Sequence, residues 1–418
     1  MMMMIDIKNL DGVRPMSLDD EFPGYEEQYG MESEPRLMTG ASFDTLLEHC
    51  ANMDASDVTV QTEQPVYAHI QGRNLRITKR TLSANEVDGI TNHIYGSNGT
   101  SQIRKGEEID TRHMVVRRER NGMGSMVVIS KFGFRVNITG CWSNGDENGV
   151  QITARAIKSL PPSLSDMGIE DALVAGLYPE QGLVLICGPT GSGKTTLLAG
   201  AIRRMVEDPE SHKKIITYEA PIEFVYDDLP RASTIVSQHE IPRHLPSFAR
   251  GVRNSLRRAP KAILVGETRD METAQASLEA SQTGHVVYST SHTNSVANTL
   301  ARLANMFPPS ERMTKVFELT ESFRLIVVQR LVRRSDGKGR VALREFLVFD
   351  QGVRDQLRVA TSLREAEHML AKLVERRGQT MLSAAQKAFD AGLISQDAMT
   401  VIEHESKSSL IEDLGLDF

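Results

Sequence analysis

Cysteine is scarce in this sequence. Among 418 residues there are three cysteines, Cys50, Cys141 and Cys187, and no two of them form a CxxC pair. Such a sparse and odd-numbered set argues against a disulfide framework and against a structural zinc site built from thiolates. It is typical of a protein that works in a reducing compartment.

Long hydrophobic runs are also missing. The longest apolar stretches, such as "GLVLICG" and "RLIVVQRLV", are far short of the ~20 residues needed to cross a bilayer. The opening "MMMMIDIKNLDG" has no basic segment followed by an apolar one, so no signal peptide is predicted, and Met4 is as plausible a start as Met1. We therefore expect a soluble cytoplasmic protein, and any connection to a membrane must come through its partners.

An excess of positive charge is absent as well. The formal net charge is −7, with 25% charged residues. This mildly acidic balance is unlike that of a nucleic-acid coat protein or a polybasic membrane binder. The length is sufficient for two domains, each with its own core.

The first part of the chain divides into a tail and a small domain. Residues 1–40 are acidic, rich in Gly, Pro and Met, and show no sustained period, which predicts a disordered tail. From Ser42 the pattern changes, because "SFDTLLEHCANM" has helical spacing and "ASDVTVQTEQPVYAHI" alternates. We predict an α+β domain over 41–150.

The remainder has the pattern of an α/β domain. Residues 151–165 include "KSLPP" and are predicted to be a linker. Residues 166–360 form the predicted domain, and 361–418 form a C-terminal helical segment with a short tail. Within the domain, helical stretches alternate with short apolar runs at 182–187, 214–218, 262–266 and 285–289. This alternation indicates a mostly parallel sheet flanked by helices.

One loop carries the strongest chemical signal. Residues 188–195, "GPTGSGKT", fit the phosphate-loop pattern GxxxxGK[ST], between an apolar strand and a helical run. Glycines allow backbone N–H groups to surround phosphate oxygens, and a helix N-terminus adds to their attraction. Lys194 should reach the β- and γ-phosphates, and Thr195 should bind Mg²⁺. The predicted ATP-binding residues are Gly188, Pro189, Thr190, Gly191, Ser192, Gly193, Lys194, Thr195 and Thr196.

Polar residues follow three other predicted strands. Glu219 and Glu223 come after one apolar run, and Glu267 comes after another. His285 begins a further strand-like run and His292 ends it. Because ligands gather at the carboxyl ends of parallel strands, these positions suit a carboxylate that orients water and a histidine that senses phosphate.

Four blocks together resemble the secretion and pilus motor ATPases of the PilT/GspE superfamily, and the resemblance spans about 41–404. The blocks are the phosphate loop at 188–196, "TYEAPIEF" at 217–224 (an Asp box), "LVGETRD" at 264–270 (a Walker B box) and "TGHVVYSTSHT" at 283–293 (a His box). The resemblance implies a RecA-like P-loop ATPase core preceded by a smaller PAS-like α+β domain.

The resemblance also implies roles for individual residues. Glu223 matches the family's catalytic glutamate, and Glu267 matches the Walker B glutamate near the magnesium ion and the water. Which of the two is the general base stays open. His285 and His292 match the two histidines of the His box, and His292 is the better candidate for sensing the γ-phosphate.

Two arginines match a further feature of the family. Arg135 in "FRVN" and Arg155 in "TARAI" correspond to arginines that approach the γ-phosphate from a neighbouring domain. Family members are hexameric rings of two-domain subunits, so the resemblance implies a homo-hexamer in which hydrolysis depends on domain closure.

Within the superfamily, the sequence is most similar to the branch that contains DotB of Dot/Icm-type (type IVB) secretion systems and the TraJ proteins of IncI-type conjugation. "SQHEIPRHLPSFARGVRNSLRR" and "VALREFLVF" carry this similarity, and Ala220 stands where pilus motors usually have Asp. The implied partners are inner-membrane channel components, including a partner ATPase. Whether the cargo is an effector protein or conjugated DNA stays open.

Three alternatives compete with this interpretation. A type IV pilus retraction motor is disfavoured by Ala220. A RecA-fold motor that translocates nucleic acid is disfavoured by the acidic balance, and the arginine-rich segment 243–258 contains one aromatic residue, Phe248, so no stacking platform or direct nucleic-acid partner is predicted. A scaffold that binds ATP without hydrolysing it is disfavoured by the intact glutamates.

Overall fold

The computed structural model describes residues 26, 29–31, 33–122, 124–157 and 160–414, with only the backbone described for residue 146 and residues 407–414. The chain divides into two compact units, one ending at Ile157 and the other beginning at Lys158. No helix in the described part of the chain is both long enough and apolar enough to span a bilayer.

The first unit is built on a six-stranded antiparallel sheet in the order β3-β2-β1-β6-β5-β4. Its strands are β1 (Asp57–Gln61), β2 (Tyr67–Ile70), β3 (Arg73–Arg76), β4 (Ile109–Arg120), β5 (Met126–Ser143) and β6 (Asp146–Ile157). Its helices are α1 (Gly40–Asn52), α2 (Ala84–Tyr95) and α3 (Gly99–Ile103).

Local sequence explains how this unit forms. Thr39 and Ser42 make a reciprocal capping box that starts α1, and the predicted apolar face of that helix is buried. The strands bury alternate residues against the same core, as in β1, where Val58 and Val60 are buried. The predicted α+β architecture is confirmed.

The ends of the unit differ from the predicted boundaries. Residues 1–25, 27, 28 and 32 of the predicted tail lie outside the described residues. The part of the tail next to α1 is packed: Met38 is buried, and the Glu34 carboxylate accepts hydrogen bonds from the backbone N–H groups of Lys79 and Arg80. At the other end, β6 continues to Ile157, inside the predicted linker, because its residues pair with β1 and β5.

The second unit contains a seven-stranded sheet in the order β13-β12-β7-β11-β10-β8-β9. All neighbouring pairs are parallel except β12 with β13. The strands are β7 (Gly182–Cys187), β8 (Lys214–Glu219), β9 (Ile235–Glu240), β10 (Ala262–Val265), β11 (Val286–Ser291), β12 (Phe323–Arg333) and β13 (Arg340–Val348). The predicted mostly parallel sheet flanked by helices is confirmed.

Helices cover both faces of this sheet, so its central strands are buried on both sides, as their continuous apolar runs require. They are α4 (Asp171–Gly176), α5 (Lys194–Glu207), α6 (Phe248–Ser255), α7 (Met271–Gln282), α8 (Val296–Ala304), α9 (Arg312–Ser322), α10 (Gln351–Leu357), α11 (Leu363–Arg377), α12 (Met381–Asp390) and α13 (Gln396–Leu414).

The C-terminal helices are divided between two cores. Helix α11 buries Leu370 and Val374 in the same hydrophobic cluster as the sheet. Helices α12 and α13 enclose a separate, smaller cluster that includes Leu343 of β13. The segment predicted to start at 361 is therefore helical, but its first helix belongs to the core of the α/β domain.

A buried polar chain links these layers. The Arg344 guanidinium on β13 donates from Nε to Gln329 Oε1 at 2.9 Å and from its other nitrogens to the carbonyl oxygens of Met167 and Gly168 and to Glu170 Oε2. Gln379 Nε2 donates to Arg344 O at 2.8 Å. A buried arginine is tolerated here because several fixed acceptors replace its water.

Replacement of Arg344 by alanine should destabilise the second unit. The change leaves the buried Gln329 amide oxygen and the partly buried carbonyl oxygens of Met167 and Gly168 without their donor, so we expect a loss of about 2–4 kcal/mol in the free energy of unfolding. Urea unfolding followed by circular dichroism would measure it. Arg340→Ala, an exposed arginine on the same strand, should change stability by less than about 0.5 kcal/mol. Equal effects of the two substitutions would contradict this assignment.

Candidate functional site

The phosphate loop runs from the end of β7 to the start of α5. Gly188, Gly191 and Gly193 have φ values of +135°, +77° and +83°, a region that residues with a Cβ rarely adopt. A Cβ on Gly188 would also lie 2.2 Å from the carbonyl oxygen of Gln329. The glycines of the motif are therefore required by backbone conformation and by close packing against β12.

Gln329 on β12 holds the phosphate loop in place. It is buried, and its Nε2 donates to the carbonyl oxygen of Ser192 at 2.7 Å while its Oε1 accepts from Arg344. The sequence interpretation did not identify Gln329 as part of the site. The available signal was an amide in the middle of the apolar strand "RLIVVQRLV".

Lys194 lies at the centre of the loop. Its ammonium donates to the carbonyl oxygens of Gly188 and Pro189 at 2.8 and 2.9 Å. Burial lowers its pKa, and the carboxylates of Glu267 and Glu223 are near enough to oppose that decrease. The structure therefore places one ammonium between a backbone cradle and two carboxylates.

The loop fits a polyphosphate bound with a magnesium ion. Ser192 Oγ is buried and makes no hydrogen bond within the described part of the chain. Pro189 and Thr190 are exposed, and Thr195 is partly exposed at the first turn of α5. A hydroxyl from Thr195 and a carboxylate from Glu267 are the oxygen ligands that Mg²⁺ prefers.

The segment carrying Glu223 is fastened to β9. Gln238 Nε2 donates to Phe224 O at 2.8 Å, and Gln238 Oε1 accepts from the backbone N–H of Tyr226. On the other side of Glu223, the Ile222 N–H donates to Glu240 Oε2 at 3.4 Å. The two β9 residues fix the backbone on both sides of Glu223, and sequence reasoning missed them both.

Glu219 has a different environment from Glu223. Its carboxylate is buried and accepts hydrogen bonds from Thr217 Oγ1 at 2.6 Å and from Gln238 Nε2 at 3.2 Å. These contacts hold the end of β8 and connect it to β9. Glu219 therefore braces the strand end, whereas Glu223 is partly exposed.

Glu267 and His292 meet at the same edge of the sheet. Glu267 Oε1 lies 3.5 Å from His292 Nε2, and both side chains are partly exposed. The two strand exits are joined by a hydrogen bond from the Thr268 N–H to Thr290 O and by another from Thr290 Oγ1 to Gly266 O. The structure therefore brings the strand-end residues Glu267 and His292 together, a contact that the sequence did not predict.

His285 lies at the opposite edge. It precedes β11, its carbonyl accepts from the N–H of Gly182 at the start of β7, and its Nδ1 contacts Ala280 O at 3.1 Å. The six residues of β11 separate it from His292, a span of roughly 20 Å at ~3.3 Å per residue. The structure does not bring His285 to the phosphate loop of its own chain, because a strand carries its two ends to opposite edges of a sheet.

The two predicted arginines belong to the first unit. Arg135 on β5 and Arg155 on β6 are register partners and are exposed, on the sheet face opposite the buried Phe134 and Ala154. Arg155 Nε donates to Asp57 Oδ1 at 2.7 Å. The structure places them side by side, and their predicted role toward phosphate remains a prediction.

Comparison with known proteins identifies the family. The model of the Type II/IV secretion system protein family matches residues 129–401, which is more than half of the chain. A twitching motility protein of Neisseria gonorrhoeae is 31% identical over 329 residues, covering 79% of this chain and 82% of that protein. The type IV pilus retraction ATPase PilT of Pseudomonas aeruginosa is 31% identical over 313 residues, covering 75% of this chain and 84% of PilT.

Solved structures agree with this match. The ATPase DotB of Legionella pneumophila shares 44% identity with a TM-score of 0.83, covering 90% of this chain and 98% of that chain. The pilus retraction motor PilT with bound ADP shares 26% identity with a TM-score of 0.70, covering 85% and 95%. With its phosphate loop and strand-end carboxylates, the chain belongs to the type II/IV secretion system ATPase family and is an ATP hydrolase.

Proposed function

We propose that this protein is a hexameric, Mg²⁺-dependent ATPase that drives a type IVB (Dot/Icm-like) secretion or conjugative DNA-transfer apparatus. The observation that carries the proposal is the 44% identity to Legionella pneumophila DotB over nearly the whole of both chains. Identity to the PilT structure is 26%. Ala220 in the Asp box supports the same branch.

The chemistry follows from the residues at the loop. ATP would lie against the backbone N–H groups of 188–196, and Mg²⁺, bound by Thr195 and Glu267, would offset the charge of the phosphates. Lys194 would exchange its two carbonyl acceptors for phosphate oxygens. A partly exposed carboxylate, Glu223 or Glu267, would orient or deprotonate the attacking water, and His292 would sense the γ-phosphate through its contact with Glu267.

Arg135 and Arg155 would complete the site from another rigid body. They are exposed on the sheet of the first unit, so a surface that closes on this face could reach them. If these positive charges reach the phosphates only when the surfaces close, hydrolysis depends on domain motion. The nucleotide would favour closure by binding the closed state more tightly than the open state. This dependence would convert ATP turnover into movement at an inner-membrane channel, to which partner components would recruit the ring.

The two other motor functions receive less support. A pilus retraction motor is favoured by the matches to PilT and is disfavoured by Ala220 and by the lower identity of the PilT structure. For a nucleic-acid motor, the one aromatic residue of the arginine-rich segment, Phe248, is buried in the core and presents no face to a base.

Substitutions in the loop should abolish ATP hydrolysis. Lys194→Ala removes the ammonium from the phosphates, and Glu267→Gln removes a carboxylate charge without changing shape. We expect each to lower kcat by about 10²-fold or more in a phosphate-release assay with Mg²⁺. Glu279→Gln, an exposed glutamate on α7, should stay within about twofold of the parent rate. Turnover by Glu267→Gln at the parent rate would reject this mechanism.

The ring and its arginines predict a dependence on assembly. Native mass spectrometry with a non-hydrolysable ATP analogue should show six copies, and activity per chain should rise with protein concentration. Arg135→Ala should lower kcat by about 10²-fold or more while the mass of the assembly is unchanged, because such arginines act in the transition state. Arg118→Ala, another exposed arginine of the same sheet, is the matched control. Full activity in a monomer would refute the ring.

The branch can be tested in the host cell. A strain without this gene should lose effector export or plasmid transfer, and a plasmid-borne wild-type copy should restore it while a Lys194→Ala copy should not. Retained transfer together with lost twitching would favour the pilus motor instead. For the nucleic-acid motor, steeply salt-dependent DNA binding by the purified protein would be the supporting result.

A further inference from the structure

Three side chains with metal-binding atoms lie close together within the first unit. None of the three belongs to the proposed ATP-hydrolysis site. They are Asp44 on α1, His93 on α2 and His113 on β4, and their ligand atoms all lie within 4.8 Å of one another. His113 Nε2 is 2.6 Å from Asp44 Oδ1, and His93 Nε2 is 3.1 Å from Asp44 Oδ2. Both imidazoles therefore turn the same ring nitrogen toward one carboxylate.

The elements that carry these side chains hold them in place. His113 is buried and fixed on a strand paired with β5. The ring of His93 is packed against the first turn of α1, where a Cβ on Gly40 would lie 2.4 Å from His93 Cγ. The two rings meet edge to face with centroids 5.3 Å apart. Glycine at position 40 thus leaves room for the imidazole one turn before Asp44.

We propose that Asp44, His93 and His113 form a binding site for a divalent transition-metal ion, with Zn²⁺ as the reference ion. Two imidazole nitrogens and one carboxylate oxygen are a known donor set for such ions, with the remaining position filled by water. The Asp44 carboxylate would offset one of the two charges of the ion, and binding of the ion would require both ligating ring nitrogens to give up their protons.

Small side-chain movements would convert the present distances into those of a bound ion. Ligand bonds of about 2.0–2.1 Å in a tetrahedron place donor atoms about 3.3 Å apart. The contact of 2.6 Å between His113 and Asp44 would lengthen by about 0.7 Å and the contact of 3.1 Å between His93 and Asp44 by about 0.2 Å, while donor atoms now up to 4.8 Å apart would move closer together. The His93 side chain is 36% exposed, which supplies an entry path and room for a water ligand. The ion would tie α1 to α2 and β4 and so stabilise the first unit.

A titration of the full-length chain with Co²⁺ and Zn²⁺ tests the proposal. Transition metals are first removed from the protein, and excess Mg²⁺ is then added so that sites with oxygen ligands remain occupied. We expect each chain to bind one Co²⁺ ion, with visible absorption and no thiolate charge-transfer band. One equivalent of Zn²⁺ should displace this ion. His113→Gln and His93→Gln should each weaken Zn²⁺ binding by about tenfold or more. His69→Gln, a histidine of the same unit bonded to Asn74, should bind as the parent does.

The thermal unfolding midpoint gives an independent measure. Zn²⁺ should raise it for the parent and for His69→Gln, and should not raise it for the ligand variants, because an ion stabilises only the state that binds it. If His113→Gln does not fold, His93→Gln decides, since it keeps the contact between Asp44 and His113. The proposal would be overturned if the chain bound no saturable equivalent of metal, if a thiolate band appeared, or if all variants bound Zn²⁺ equally. Hydrogen bonding would then be the only role left for the cluster.

Discussion

Gln329 joins the phosphate loop to the rest of the second unit through both ends of one side-chain amide. Its N–H group holds the carbonyl of Ser192, and its oxygen is held by Arg344, which is itself fixed by the carbonyls of Met167 and Gly168. A hydrophobic residue of similar size would leave the buried Ser192 carbonyl without its donor and the Arg344 Nε–H without its acceptor, which costs more than either bond contributes. The loop glycines pack against the same strand, so the backbone conformation of the loop and the hydrogen bonds of Gln329 depend on each other.

The same design recurs around Glu223. The proposed catalytic role of Glu223 requires an accessible carboxylate, and an accessible loop has few apolar contacts to fix it. Here the fixing is done from the neighbouring strand, where Gln238 and Glu240 hold the backbone before and after Glu223. Precision at the site therefore comes from polar side chains on the rigid sheet.

The sequence allowed the phosphate loop, the parallel sheet and the strand-end carboxylates to be predicted, because each is a local pattern. It did not reveal Gln329, since its partner Ser192 is distant in sequence and only the adjacency of β7 and β12 joins them. His285 and His292 look alike in sequence as members of one box, and only the direction of β11 separates them. Arg135 and Arg155 could be matched by resemblance alone, because their proposed role requires a surface outside their own unit.

Because α11 packs into the core of the α/β domain, the C-terminal helices are not a separate module appended to it. Leu370 and Val374 share a hydrophobic cluster with the strands, and Gln379, just beyond that helix, bonds to the backbone of Arg344. Lys387 on α12 in turn donates to Gln379 at 2.7 Å. A chain cut after residue 360 would therefore expose the surfaces of α8, α9 and β13 that α11 covers, and the polar chain behind the phosphate loop would lose its outer end. During synthesis, the phosphate loop would therefore gain the outer part of its polar support only after the C-terminal helices have been made.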